Sequence, residues 1–173
     1  MSWESTVPTA SALIALLQLQ PHPKEGGFFR ESYRSGERTS AAHLPARYGG
    51  DRCAATAIYY LLTPGTFSAI HRLASDEVFH FYLGSPVRML QLDASGGREI
   101  VLGPDLAGGQ QVQVVVPRGV WQGSLLEPGG EFALLGCTVA PGFEYVDYEQ
   151  GQREELLSQF PRHAELIRRL TNE

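Results

Sequence analysis

Short segments of alternating apolar and polar residues recur through most of the chain and predict β-strands. Alternation places every second side chain on the same face of a strand, as a half-buried sheet requires. Glycine-rich and proline-rich turns separate the segments. The predicted strands cover residues 57–62, 67–72, 78–83, 87–92, 98–101, 111–116, 123–126 and 132–139. Such frequent short strands predict an all-β sandwich or barrel rather than a parallel sheet with crossover helices.

Apolar residues at helical spacing lie near both ends of the chain. In the first segment Thr9 or Ser11 is a suitable N-cap. The apolar face that follows consists of Leu13, Ile14, Leu16 and Leu17. A second helical segment begins after Gly151, and Pro161 divides it into two pieces. We expect these short helices to pack outside the sheets.

Chain length predicts one compact domain. The chain has 173 residues, 43% of them hydrophobic, and a domain usually contains roughly 100–200 residues. A chain of this size buries about 70% of its unfolded surface without disulfides or metals. We expect residues 1–173 to form one domain, with a barrel core over about 25–148 and a helical tail over 150–171.

Several predicted strands are apolar on both faces, most clearly the segment 57–62. A sheet that is apolar on its outer face is usually covered, either by helices or by another subunit. This pattern predicts a homodimer.

Charge, cysteine content and the N-terminal sequence indicate which partners and which cellular location to expect. The formal net charge is −5 and the basic residues are dispersed, whereas nucleic-acid binding usually requires a basic stripe. Cys53 and Cys137 are too few and too far apart for a disulfide framework or a zinc site. Residues 1–8 lack a basic region, and 13–19 do not form a signal core or a membrane span. We therefore expect a cytoplasmic protein with no nucleic-acid or membrane partner.

Candidate chemistry is concentrated in residues 65–84. His71, Glu77 and His80 lie between two short apolar segments. Alternation places Phe67, Ala69 and His71 on one face of the first strand. It places Glu77, Phe79, Phe81 and Leu83 on one face of the second. An imidazole and a carboxylate are therefore expected to meet inside a sheet structure.

The spacing of this stretch resembles the first signature of the cupin superfamily, small jelly-roll barrels with an internal site. The matching anchors are Gly65, His71, Glu77 and Gly84. Residues 117–122 resemble the second signature. Together with 25–29, 58–61 and 137–143, they are similar to a cupin family known as a domain of unknown function. The resemblance implies a double-stranded β-helix (jelly-roll) barrel with a small-molecule site inside.

A metal centre is the first functional alternative. In metal-binding cupins the resemblance implies ligands at His71, Glu77 and Gln122, because imidazole and carboxylate can hold a divalent metal with open positions. Leu73 stands where those proteins carry a second histidine, and Gln122 stands at the third. The sequence therefore leaves open whether the cofactor is a divalent metal or none.

Metal-free acid–base chemistry is the second alternative. Sugar-nucleotide epimerases of the same barrel class use a histidine base and a tyrosine acid. By analogy His71 is the base, Glu77 orients it, and Tyr59 or Tyr82 is the acid. The sequence therefore also allows an isomerase.

A binding protein without catalysis is the third alternative. Its pocket would be lined by Phe67, His71, Phe81 and Trp121. The aromatic residues are equally consistent with barrel filling, and His71 with Glu77 is equally consistent with a structural internal pair. We favour an enzyme of undetermined reaction that uses His71, Glu77 and Gln122. The further candidates for ligand contact are Tyr59, Phe67, His80, Phe81 and Trp121.

Overall fold

A computed structural model describes residues 8–172, which form strands in the middle of the chain and helices at its ends. The strands are β1 (Gln20–Pro21), β2 (Phe28–Arg34), β3 (Arg38–Thr39), β4 (Arg52–Cys53), β5 (Thr56–Leu62), β6 (Phe67–Arg72), β7 (Asp76–Gly84), β8 (Val87–Asp93), β9 (Gly96–Leu102), β10 (Gln113–Val116), β11 (Trp121–Leu126), β12 (Ala133–Ala140) and β13 (Glu149–Gln150). The helices are α1 (Ala10–Leu17), α2 (Arg153–Gln159) and α3 (Ala164–Arg169). Single 3₁₀ turns occupy Ala41–His43, Tyr145–Asp147 and Pro161–His163.

Two antiparallel sheets carry the fold. The six-stranded sheet has the order β1-β2-β5-β12-β7-β10, and the five-stranded sheet has the order β13-β6-β11-β8-β9. From β5 onwards the chain passes from one sheet to the other at every step except β8 to β9, as in a jelly roll. β3 and β4 form a separate two-stranded ribbon. The predicted all-β jelly-roll architecture is confirmed, although the sheets do not close into a continuous barrel.

The main core lies between the two sheets. Tyr60, Phe79 and Leu135 extend inward from the six-stranded sheet and pack with Met89 and Leu102 of the five-stranded sheet. Every one of these side chains is almost completely buried. Burial of apolar area on this scale, at roughly 25 cal/mol per Å², is the main driving force of folding.

The terminal helices cover the outer faces of the sheets, as predicted. α1 begins after Thr9, whose side chain caps the helix by accepting a hydrogen bond from the Ala12 backbone. Its Leu13 packs with Leu61 and Leu134 of the six-stranded sheet. Leu156 of α2 and Ile167 of α3 pack on Ile70, Leu90 and Leu92 of the five-stranded sheet. These helices therefore cover the outer face of that sheet.

A β-bulge in β6 corrects the predicted facing of that strand. Gln122 pairs with His71, whereas Ser124 pairs with Ser68, so β6 contains one extra residue between the two pairs. As a result Ser68 and His71 both point inward. Phe67 packs instead on the outer cluster beneath the C-terminal helices.

A second bulge, in β7, produces a similar correction. Leu135 pairs with Phe81 but Leu134 pairs with Leu83, so Tyr82 is the extra residue. Phe81 packs against the core between the sheets, whereas Leu83 packs beside α1. The inward face predicted for Glu77, Phe79, Phe81 and Leu83 therefore does not include Leu83.

Within residues 8–172, no helix has the length and apolar character needed to cross a membrane.

Candidate functional site

A cavity of about 140 Å³ opens between the two sheets at the end of the molecule nearest the β1–β2 turn. Its apolar walls include Phe29, Ile58, Leu73, Val139 and Phe143. Its polar lining consists of His22, Glu25, Glu31, Arg34, Thr56, Glu77, Cys137, Glu144 and Tyr145. Small-molecule sites typically combine mostly apolar walls with a few convergent polar groups.

His71 lies just behind this cavity and is fixed by two hydrogen bonds. Its Nδ1 is 2.8 Å from the carbonyl oxygen of Ala69, which can only accept, so Nδ1 carries the proton. Nε2 therefore presents its lone pair and accepts a hydrogen bond from the Gln122 amide at 2.8 Å. The bulge in β6 makes this possible because it turns His71 inward opposite Gln122.

Gln122 connects His71 to Glu77. The same amide nitrogen donates to Glu77 Oε2 at 3.1 Å. The amide oxygen, Oε1, is buried and has no hydrogen-bond partner among residues 8–172, and Ser124 Oγ on the same face of β11 shares this property. Buried polar atoms are normally satisfied by protein or water. The interior behind the cavity is therefore polar and suited to donor groups.

Glu77 is held in conditions that favour its neutral, protonated form. Burial between the sheets raises the pKa of its carboxyl group well above the usual range, and the negative charge of Glu25 raises it further. The Cys137 thiol of β12 lies beside it, and burial likewise raises the pKa of that thiol. Glu77 and Cys137 thus lie together in the cavity wall, where burial favours the neutral form of each.

Glu25 projects into the cavity from the turn between β1 and β2. Its Oε1 lies 3.6 Å from Nε2 of both His22 and His71. Its Oε2 lies 3.4 Å from Ser68 Oγ. The turn is held in place because the Glu25 carbonyl accepts from the Ala69 backbone at 2.8 Å. Glu25 is therefore well positioned, yet no side chain in the described part of the chain makes a short hydrogen bond to it.

His22 stabilises this turn by hydrogen bonds to its backbone. Its Nδ1 accepts backbone hydrogen bonds from Glu25 at 2.9 Å and Lys24 at 3.3 Å. Burial lowers the pKa of its imidazole below the usual 6.5, although Glu25 partly opposes this effect. The neutral ring then carries its proton on Nε2, directed towards Glu25.

Glycines at the turn allow it to approach the sheets. Gly26 and Gly27 adopt φ values of +92° and +68°. A Cβ on Gly26 would lie 2.5 Å from the Phe67 carbonyl oxygen, so no larger residue fits without movement. The Gly26 carbonyl accepts from Tyr60 Oη at 2.9 Å.

An aromatic segment just before β13 closes the other side of the site. The Tyr148 ring stacks on His71, with ring centroids 4.9 Å apart. Lys24 Nζ lies 5.3 Å from the ring centres of both Tyr145 and Tyr148. A buried bidentate ion pair between Arg52 and Asp147 fixes the turn that carries these tyrosines.

Arg34 lies at the mouth between two carboxylates. It makes a bidentate pair with Glu31 at 2.9 and 3.0 Å and bonds Glu144 at 2.9 Å. The positive charge at the mouth is therefore already matched by two negative charges.

The structure brings together three predicted site residues, His71, Glu77 and Gln122. It places Tyr59 and His80 on the outer face of the six-stranded sheet. Tyr59 packs there near Tyr82, and His80 contacts Gln113 and Thr138.

The predicted aromatic lining is corrected as well. Phe67 and Trp121 pack on the outer cluster under the C-terminal helices, where Arg72 lies 4.3 Å from the Trp121 ring. Phe81 contributes to the core between the sheets. None of these three lines the cavity beside Glu77.

A metal does not fit the side chains found here. Leu73 lines the cavity at the position where a second histidine would be required. Both His71 nitrogens are already engaged, and Gln122 directs its NH₂ group, which has no lone pair for a metal, towards His71 and Glu77. Among residues 8–172, no group of three or more His, Cys, Asp or Glu side chains is arranged to hold a metal ion.

Sequence reasoning missed three contributors to the cavity: His22, Glu25 and Cys137. His22 and Glu25 share the turn between β1 and β2, whereas Cys137 lies in the distant strand β12, so the three meet only in the folded protein. The paired glycines after Glu25 were the available signal, because they indicate a close backbone approach.

Comparison with known proteins identifies the family. The family model described as "Cupin superfamily (DUF985)" matches residues 11–151. The chain belongs to this cupin family. Membership agrees with the two facing sheets and the internal cavity, but a fold supports many functions, so the reaction has to be argued from the side chains.

Individual relatives of this cupin agree over most of its length. The uncharacterized protein YML079W of Saccharomyces cerevisiae is 32% identical over 141 residues, which are 76% of this chain and 69% of the yeast protein. A hypothetical protein from Leishmania major superposes with a TM-score of 0.85 at 32% identity, covering 96% of this chain and 100% of that one. A Shewanella oneidensis protein gives 0.82 at 36% identity, covering 96% and 99%.

Proposed function

We propose that this cupin binds a small polar molecule in the cavity between its sheets and acts on it by metal-free acid–base chemistry. The observation that carries the proposal is the pair of dissimilar carboxyl groups on the cavity wall. Glu77 is buried, and its environment favours the protonated acid. Glu25 faces the cavity near two imidazoles without a short hydrogen bond. Two carboxyl groups in contrasting environments are a common basis for acid and base roles.

In this proposal Glu25 accepts a proton from the bound molecule and Glu77 donates one. His71 and Gln122 are positioning residues, because the Gln122 amide donates its hydrogen bonds to His71 and Glu77 and not to the ligand. Tyr59 and Tyr82, the tyrosines suggested by analogy with epimerases, lie outside the cavity and take no part. The class of reaction remains proton transfer within a small molecule, which includes isomerisation.

The first test is whether an organic ligand co-purifies with the protein. Native mass spectrometry of gently purified wild type is expected to show a bound organic molecule that is lost in Glu77→Gln and His71→Ala. His80→Ala, a histidine variant on the outer face, is the matched control and should keep it. Retention of the ligand in His71→Ala and Glu77→Gln would show that the cavity is wrongly assigned.

Catalysis is tested separately from binding. The released ligand is incubated with protein in D₂O, and incorporation of deuterium is followed by NMR. Exchange that requires Glu25 supports an enzyme, whereas an unchanged ligand identifies a binding protein without catalysis.

We also propose a homodimer and a cytoplasmic location. The outer face of the six-stranded sheet carries exposed Tyr82 and Val115, which supports a covering subunit. Both cysteines, Cys53 and Cys137, are free thiols, a state typical of reducing compartments. Cell fractionation tests the location, and detection only outside the cytoplasm would contradict it.

A further inference from the structure

We propose that the ligand of this cavity is a small organic cation, an ammonium group on a short apolar body. The inference rests on the proposed function and names the class of molecule that the same cavity takes.

Charge balance is the first argument. Glu25, Glu31 and Glu144 contribute negative charge to the lining, and Arg34 contributes the one guanidinium among the described lining residues. Arg34 is fully engaged by Glu31 and Glu144, so it is not available to an anionic ligand. A molecule with a carboxylate or phosphate would meet uncompensated Glu25, whereas a cation would neutralise it.

Unfilled acceptor capacity is the second argument. A carboxylate has room for about four hydrogen bonds. The side-chain neighbours of Glu25 lie at 3.4 Å or beyond, at Ser68, His22 and His71. An ammonium group supplies three donors at one point and can approach to about 2.8 Å, the usual distance of a charge-assisted bond. It would therefore satisfy Glu25 better than the protein does.

Wall composition and size define the rest of the ligand. Phe29, Ile58, Leu73 and Val139 offer apolar contact around the acidic group. The volume of about 140 Å³ limits the part of the ligand inside to a few heavy atoms. A short alkyl or aryl chain ending in an ammonium fits both features.

The aromatic rim of the cavity already accepts a cation. Lys24 Nζ lies over the rings of Tyr145 and Tyr148, and Tyr145 also lines the cavity. The tyrosine faces are therefore suited to an ammonium group. Lys24 itself is exposed, so solvent screens its repulsion of a cation bound at Glu25.

The experiment compares three probes of equal chain length: butylammonium, butan-1-ol and butyrate. Binding to the wild type is measured by calorimetry, with NMR shifts of the methyl signals of Leu73 and Val139, which line the cavity, as the readout of cavity occupancy. We expect butylammonium to bind at least about tenfold more tightly than butan-1-ol and butyrate to bind weakest.

Variants then identify the responsible charge. Glu25→Gln should weaken butylammonium binding by about tenfold or more, whereas Glu155→Gln, an exposed carboxylate on α2, should leave it unchanged. Equal or tighter binding of the alcohol or of butyrate overturns the inference while leaving a ligand cavity in place. Failure of butylammonium to shift these methyl signals overturns it as well, and the co-purifying molecule then tests the proposed function independently.

Discussion

At the scale of single residues, Gln122 determines how the interior of this cupin is organised. A histidine at this position would offer a lone pair, but the amide of Gln122 donates hydrogen bonds to both His71 and Glu77. The resulting network holds His71 in one tautomer, while burial and the charge of Glu25 raise the pKa of Glu77. The same two hydrogen bonds explain why the side chains suit acid–base chemistry better than metal binding.

The importance of this amide is tested by Gln122→Met, which keeps the volume and removes both donors. Two buried acceptors lose their partner, so we expect a loss of about 1–3 kcal/mol in the free energy of unfolding. Gln113→Met is the matched control, because Gln113 makes a similar bond to His80 at the exposed outer face. It should cost less than about 0.5 kcal/mol. Equal losses in urea titrations of the two variants would contradict the buried network.

The protonated state of Glu77 predicts a specific pH dependence. Its pKa in the folded protein is raised above the usual 4.5, so the folded state binds more protons than the unfolded state above that pH. The stability of the wild type should therefore fall relative to that of Glu77→Gln as pH rises from about 4.5. Melting temperatures of both proteins between acidic and neutral pH measure this difference. A melting-temperature difference between wild type and Glu77→Gln that stays constant with pH would contradict a raised pKa of Glu77. Glu155→Gln, which removes an exposed carboxylate, is measured in parallel as the control.

At the scale of secondary-structure elements, two bulges and one glycine turn position the site. The alternation pattern predicted the strands well, because each half-buried segment has a period of two. Alternation carries no signal for an inserted residue, so the outward turn of Phe67 and of Leu83 could not be predicted from it. His71 and Glu77 were recognised because they lie before the β7 bulge and inside one short stretch of sequence. Glu25 was not, because its approach depends on a distant turn.

The turn between β1 and β2 is tested by Gly26→Ala. The left-handed backbone costs about 1–2 kcal/mol with a Cβ, and the Cβ would also meet the Phe67 carbonyl at 2.5 Å. We expect at least this loss of stability and a matching loss of ligand binding, since Glu25 must move. Gly36→Ala, whose added Cβ meets no heavy atom of the described residues within 4 Å, is the control and should behave like wild type in both measurements. A stable, ligand-binding Gly26→Ala variant would show that the turn is not constrained.

At the scale of the whole molecule, the two outer faces differ in how they are covered. The C-terminal helices bury the outer face of the five-stranded sheet. On the six-stranded sheet α1 covers one part, and Tyr82 remains 50% exposed beside Val115 at 49%. Composition and strand pattern predicted a covering element for this apolar surface, and they do not distinguish a helix from a second subunit. The homodimer therefore remains a prediction.

Light scattering coupled to gel filtration tests the dimer. We expect twice the chain mass of 19.0 kDa, and Tyr82→Arg should shift the protein to the single-chain mass by placing charge in the interface. Leu106→Arg, at an exposed apolar residue in a loop, is the control and should remain dimeric. A single-chain mass for the wild type across a range of concentrations would contradict the dimer.

The most direct test of the central claim is a crystal structure of protein purified gently and without chelators, with metal content measured on the same preparation. The metal-free acid–base account predicts an organic molecule in the cavity, in contact with Glu25 and Glu77, and no stoichiometric metal. A metal ion coordinated by His71 and Glu77 at full occupancy would contradict it.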